Sequence, residues 1–309
     1  MFKKLVHWFD NEAVIPDSAT GEGWAQVDWL RVIPFIAIHL ACFGVFWVGA
    51  SWFAIFFAVM LYAVRMFAVT GFYHRYFSHK AFRTSRFIQF ILAVLGASAV
   101  QRGPLWWASH HRHHHVNSDE FDDAHSPVQH GFLWSHLGWF LSNRHFATKT
   151  ERVKELTKYL ELRLLDRFDV IVPVLLAVGI YLFGSLLESI SPHLNTNGLQ
   201  LLVWGFAIST VVLYHATFTV NSLAHVWGKR RYATSDQSRN NLWIALVTLG
   251  EGWHNNHHHF PGSARQGFYW WEIDFTYYGL KLLAALGLIW DLRTVPAEIR
   301  ESRKIVRKI

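Results

Sequence analysis

Four long apolar runs dominate the chain, at about residues 33–50, 53–69, 170–187 and 201–220. Each approaches the roughly 20 helical residues needed to cross about 30 Å of hydrocarbon, so each is read as a transmembrane helix. The first two are parted by little more than Ser51 and Trp52, the last two by residues 188–200 with Ser191, Pro192, Asn195, Asn197 and Gly198. Such short, turn-rich breaks read as two helical hairpins. Three shorter apolar segments, near 87–100, 242–249 and 277–290, fall below spanning length and are expected in the interface or in an extramembrane core. The pattern therefore predicts an all-α integral membrane protein read as one domain over 1–309. It has a polar segment at 1–32, four transmembrane helices in two hairpins, and a helical cap built from 70–169 and 221–309.

Charge adds an orientation. Of the 29 Lys and Arg, all but Arg65 lie outside the four runs, and none lies in the two short connecting loops. The positive-inside rule then puts both termini and the whole cap in the cytoplasm. Arg65, about a turn below the end of the second run, is expected to snorkel toward the interface. Residues 1–32 carry Lys3, Lys4, Asp10, Glu12, Asp17, Glu22 and Asp28 and show no cleavable secretory pattern, so the first run is expected to stay as a span. A single cysteine, Cys42, excludes a disulfide framework, a thiolate zinc module or an iron–sulfur cluster built by this chain alone. A net charge of +7 is compatible with nucleic acid, but sixteen Trp and the uncharged runs fit a bilayer instead.

Twenty histidines require a separate explanation. Most crowd into four places on one side of the predicted membrane: His74-Arg-Tyr-Phe-Ser-His79, His110-His111-Arg-His113-His114-His115, Asn221-Ser-Leu-Ala-His225, and His254-Asn-Asn-His257-His258-His259. On a helix turning about 100° per residue, His111, His114 and His115 share an arc of roughly 100°, and His254, His257 and His258 repeat the same i, i+3, i+4 spacing. Asn221 and His225 share a face, whereas His74 and His79 diverge by about 140°, which needs a bend or two different metals. His74, His79, His111, His114, His115, His225, His254, His257 and His258 together exceed what one ion can use, so two metals are expected. Neutral imidazole suits Fe, Zn, Cu and Ni alike. Iron is preferred because two open, redox-active ions can activate O2, while a zinc pair points to hydrolysis. His110, His113 and His259 are surplus. His7, His39, His130, His136, His145, His193 and His215 are read as structural or solvated. Asp119, Asp122, Asp123 and Glu251 are candidates to hold the outer ring nitrogens.

The segments HRYFSH (74–79), WASHHRHHH (107–115), NSLAHVWG (221–228) and GEGWHNNHHHFP (250–261) make the chain resemble the membrane fatty acyl desaturases of the stearoyl-CoA type, especially their bacterial acyl-CoA branch, over about residues 30–262. The resemblance implies two iron ions cycling between Fe2+ and Fe3+, held by the nine histidines with Asn221 reaching one iron through water. It also implies a kinked apolar tunnel bent by Gln101, Trp107 and Thr217 and ending near Met66, and a bacterial inner-membrane location. Arg102 and Phe218 stand where the animal enzymes carry Asn and Trp near the acyl carbonyl, so the head group is open: the resemblance implies an acyl-CoA, of the stearoyl-CoA 9-desaturase type, with an acyl carrier protein ester or an acyl-lipid as the alternatives. The implied reaction is O2-dependent insertion of a cis Δ9 double bond into a C16–C18 chain.

Removing hydrogens from an unactivated methylene pair offers no acidic proton and needs a strong oxidant. The chain lacks a ferredoxin cysteine set, a haem motif and a GxGxxG fingerprint, so a separate ferredoxin or cytochrome b5 with its reductase is expected to dock on the basic face. A membrane di-iron hydroxylase, and more remotely a metal transporter or sensor, share some of these features. The expected partners are thus a fatty acyl substrate, the bilayer, O2 and an electron donor, with no nucleic acid.

Overall fold

Among the described residues of the structure, a computed structural model, four helices are long and apolar enough to cross a membrane: Trp29–Val48, Trp52–Ser78, Ile171–Ile190 and Gly198–Val226. The structure describes residues 6–12, 27 and 29–305; most of the expected N-terminal polar segment, including Lys3, Lys4, Asp17, Glu22 and Asp28, lies outside the described residues. The second and fourth spans run past their apolar sequences because the polar residues that follow, from Thr70 to Ser78 and from Asn221 to His225, mostly enter protein rather than lipid. The four spans are unequal. The first and third are only 6% and 17% buried, whereas the second and fourth are 39% and 50% buried and form the centre.

The two connecting loops meet at one end of these helices. Gly49, at φ +63°, breaks the first span, and Ser51 caps the second by accepting the Ala54 N–H. Asn197 caps the fourth span through the Gln200 N–H. Ser51 Oγ lies 2.5 Å from Thr196 Oγ1, while Gln200 Nε2 donates to Val48 O at 3.0 Å and Trp204 Nε1 to Gly49 O at 2.9 Å. The third and fourth spans come so close that a Cβ on Gly184 would sit 2.7 Å from Asn197 O.

Arg65 does not snorkel. It is buried, donating to Thr210 Oγ1 and Ser209 Oγ at 2.6 Å each and to the Gly205 carbonyl at 3.4 Å. Its donors are satisfied inside the protein by the fourth span, which removes the drive to reach water.

At the opposite end from the connecting loops, the helix Pro104–Asn117 packs on the last turns of the second span. Phe72, Tyr73, Phe77, Phe82, Leu105 and Leu162 form the core between them. Asp166 anchors the start of that helix by accepting the Trp106 N–H at 2.7 Å and the Thr148 hydroxyl at 2.6 Å. The three shorter apolar segments become helices Arg86–Ala97, Leu242–Val247 and Phe275–Ala285.

Candidate metal centre

The last stretch of the second span, Ala68–Ser78, is π-helical. An i→i+5 winding stacks residues five apart, so His74 and His79, which diverge on an ordinary helix, come within 5.0 Å ring to ring. The expected divergence of about 140° is therefore corrected, and its premise of α-helical winding is the reason it fails.

The nine candidate imidazoles separate into two clusters. His74, His79, His111, His115 and His257 form one; His114, His225, His254 and His258 form the other. In the first, Nε2 atoms face one another at 3.0 Å (His74–His257), 2.9 Å (His257–His115), 3.0 Å (His115–His111) and 2.8 Å (His111–His79). In the second, His225 and His254 are 3.0 Å apart and His114 and His258 3.3 Å apart. Helix Pro104–Asn117 supplies both clusters, sending His111 and His115 to one and His114 to the other. Helix His254–His259 does the same with His257 and with His254 and His258.

Carboxylates fix the ring tautomers. His114 Nδ1 meets Asp123 Oδ2 at 2.9 Å, His225 Nδ1 meets Asp119 Oδ2 at 2.8 Å, and His258 Nδ1 meets Asp236 Oδ2 at 2.7 Å. His74 Nδ1 is paired with Glu251, whose other oxygen takes Arg75 Nη2 at 3.0 Å. A ring that donates through Nδ1 carries a bare lone pair on Nε2. Bare lone pairs 3 Å apart repel unless a cation lies between them. Two nitrogens at right angles around an ion with bonds of about 2.1 Å would be about 3 Å apart, so the donor set fits a first-row metal in each cluster.

Electrostatics agree with that division. Burial would raise the Asp123 carboxyl, but His114 and His125 hold it below the ordinary carboxylate range. Burial is likewise outweighed at Asp119 by the hydrogen bond from His225, at Asp236 by His258, and at Glu251 by His74 and Arg75. Burial, then mutual repulsion, drives His79, His111, His115, His254 and His257 well below the usual imidazole value. Neutral imidazole is the form that binds metal.

The surplus histidines turn elsewhere. His110, His113 and His259 face the carbonyls of Ala147, Asp122 and Ile299 through Nε2 at 3.3, 3.0 and 2.7 Å. His39, His215 and His136 form a separate row, with ring nitrogens 3.2 and 3.1 Å apart. Asp122 contributes its backbone rather than its carboxylate. Two residues escaped sequence reasoning. Asp236 stands alone in a loop with no informative spacing. His125 packs on His114 at 4.3 Å and approaches Asp123, which its i, i+2 spacing from that acid could have flagged.

An apolar cavity of about 410 Å³ leads to the clusters, and Gln101, Arg102, Trp107, His111, Thr217, Phe218 and Asn221 are among its lining. A smaller space of about 40 Å³ lies between the clusters, touching His74 and His111 from one and His114 and His254 from the other, and reaches Met66. Trp107, His111, Thr217 and Asn221 line both. Gln101 Nε2 donates to Thr217 Oγ1 at 3.1 Å beside this junction. All six expected substrate-contacting residues thus line one cavity or the other.

The fatty acid desaturase family profile matches residues 50–287. The chain belongs to the fatty acid desaturase family. The desaturase is 39% identical over 226 residues to an acyl-CoA C20 Delta5-desaturase of Anemone leveillei, covering 72% of this chain and 68% of that protein. It is 38% identical to a chloroplastic palmitoyl-monogalactosyldiacylglycerol delta-7 desaturase of Arabidopsis thaliana, covering 72% and 57%. It is 34% identical to an sn-2 palmitoyl-lipid 9-desaturase of Nostoc sp. (strain 36), covering 67% and 70%. The chain thus spans little more than half of the second of these relatives.

Proposed function

We propose that this desaturase carries out O2-dependent cis desaturation of a C16–C18 fatty acyl chain, at the Δ9 position, with two iron ions. The observation that carries the reading is the convergence of two Nε2 clusters on a narrow space that continues an apolar cavity. His74, His79, His111, His115 and His257 would hold one iron, and His114, His225, His254 and His258 the other, with Asn221 beside them. Two irons supply, from O2 and two electrons, the oxidising power to remove two hydrogens from unactivated methylenes; with two protons, the by-product is two waters.

The chain's own residues decide which methylenes react. The Gln101–Thr217 contact and the Trp107 indole narrow the passage between the two spaces, so a chain must bend there to go further. Buried Met66 stands at the far end and limits the length of tail beyond the bend. Asp119, Asp123, Asp236 and Glu251 keep the protons on Nδ1 and the rings aimed inward. In this reading the clusters and both termini face the cytoplasm of a bacterial cell, where a ferredoxin or cytochrome b5 with its reductase delivers electrons. A CoA thioester and a membrane lipid would present the same tail to the cavity.

Expression in cells unable to make unsaturated fatty acids tests the reading. Mass spectrometry of the acyl chains should show a new monoene with the wild type and none with His111→Ala or His257→Ala at matched protein levels. Identical lipid profiles for all three would overturn it, as would an alcohol carrying label from 18O2.

A further inference from the structure

Residues 98–103 turn the chain from helix Arg86–Ala97 into helix Pro104–Asn117. Val100 (φ +61°) and Arg102 (φ +68°) take the left-handed backbone conformation, with Gln101 between them. Glycine is the usual residue at such a place after a helix end, because a Cβ there crowds the following carbonyl. Val100 is the only β-branched residue at positive φ among the described residues, and branching makes that conformation costlier still. Left to itself, this turn would relax to negative φ. Strain of this kind persists only where the surroundings enforce it.

Two buried tyrosines enforce it. Tyr214 of the fourth span donates its hydroxyl to Val100 O at 2.7 Å, and Tyr73 of the second span donates to Arg102 O at 3.2 Å. The residues on either side of Gln101 are thus tied to two different spans. Tyr214 and Thr217, three residues apart on one helix, share a face. The Thr217 hydroxyl gives its one proton to Leu213 O at 2.8 Å, so its oxygen receives the Gln101 amide at 3.1 Å. One face of the fourth span therefore holds both the backbone and the side chain of the turn. Val100, Gln101, Tyr214 and Thr217 all line the wider cavity, and Thr217 lines the narrow space as well.

Given the desaturase reading, we propose that this turn is a strained brace whose clamps, Tyr214 and Tyr73, are positioning residues that set where the double bond forms. They act through Gln101. With both hydroxyls in place, Gln101 stays on Thr217 and the acyl chain bends at one point. Without them Val100 and Arg102 relax, Gln101 leaves Thr217, and the bend shifts along the chain. A displacement of about 1 Å is enough to change which carbons reach a reacting geometry.

The test locates the double bond, by mass spectrometry of ozonised acyl chains, in cells unable to make unsaturated fatty acids that express each variant. The wild type should give one positional isomer. Tyr214→Phe keeps the ring packed against Phe35 and Phe218, at 5.8 and 5.6 Å between centres, and removes only the clamp. The share of displaced isomers should then rise at least roughly tenfold, and Tyr73→Phe should raise the same isomers. Because the isomer ratio is internal to each sample, a partial loss of fold or of iron does not move it. Val100→Gly added to Tyr214→Phe frees the left-handed conformation of strain and should cut the displaced share by about threefold or more. A ratio that stays at the wild-type value in both Phe variants, or no recovery in the double variant, would overturn the proposal.

Melting of the purified, iron-loaded protein reads the brace without turnover. Val100→Gly should lower the midpoint less in the wild type, where it relieves strain, than in Tyr214→Phe, where the turn has already relaxed. Equal shifts would overturn the brace and leave the desaturase reading standing. No olefin from the wild type would sink the desaturase reading instead, and the melting comparison would still decide the brace.

Discussion

The two histidine clusters share helices yet differ in a way that bears on every role assigned to them. One gathers five imidazoles with, among the described residues, a single carboxylate behind them, Glu251, and Arg75 already claims one of its oxygens. The other gathers four imidazoles, three of which have their own acid: Asp123 behind His114, Asp119 behind His225 and Asp236 behind His258. The first cluster offers more donors and the second more compensating charge. Two identical ions placed there would therefore not be equivalent.

Deleting one ligand on each side tests this most severely. His258→Ala leaves three imidazoles and should reduce bound metal from two ions to one per chain, with olefin formation down by more than about 100-fold, beyond the usual cost of losing an outer partner. His79→Ala leaves four on its side and should retain more metal. Equal loss in the two variants would break the comparison. Elemental analysis of the purified proteins decides.

Losses of the outer carboxylates should be smaller and should rank. Asp236→Asn and Asp123→Asn are expected to weaken metal binding by roughly 10- to 100-fold. Glu251→Gln should fall at the lower end, because its charge is already shared with Arg75. A chelator titration that finds Glu251→Gln the most damaging would contradict the assigned charge difference.

Acid should distinguish His114 from the other buried histidines in metal-free protein. An unfolded imidazole takes its proton near pH 6.5, whereas burial and mutual repulsion keep His79, His111, His115 and His257 neutral in the fold. The unfolded chain then gains protons first, so stability present above pH 6.5 is lost as pH falls below it. On the other side, burial likewise holds His254 well below the usual value and pushes His258 down to about 4, but Asp123 outweighs burial and raises His114. The His114 contribution is present below pH 6.5 and fades as pH rises through its raised value. Denaturation midpoints followed from pH 8 to 4 should therefore show a shallower acid loss in His115→Ala and a steeper one in His114→Ala. The smallest effect is expected of His113→Ala, whose ring meets the Asp122 carbonyl and the Asn117 amide rather than either cluster and which should keep both metals.

How much of this the sequence disclosed follows from the range of each interaction. The i, i+3, i+4 repeats at His111 and His254 were legible because helical geometry is local, and the four spans because hydrophobic length is. Three features depended on tertiary context. The π winding that aligns His74 with His79 leaves no mark in the spacing. Asp236 lies 22 residues before His258 and is brought to it only by the fold. Arg65 reads as a snorkelling residue until Ser209 and Thr210 of another span are seen to hold it. The same-side placement of the four histidine groups, by contrast, needed only the count of spans between them.

Crystals of the purified, iron-loaded protein, measured on either side of the iron absorption edge, give the most direct test of the central claim. The account predicts two anomalous peaks per chain, one ringed by His74, His79, His111, His115 and His257 and the other by His114, His225, His254 and His258, with no carboxylate oxygen bound directly to either. A single peak, or a peak ligated by Asp119, Asp123, Asp236 or Glu251, would contradict it.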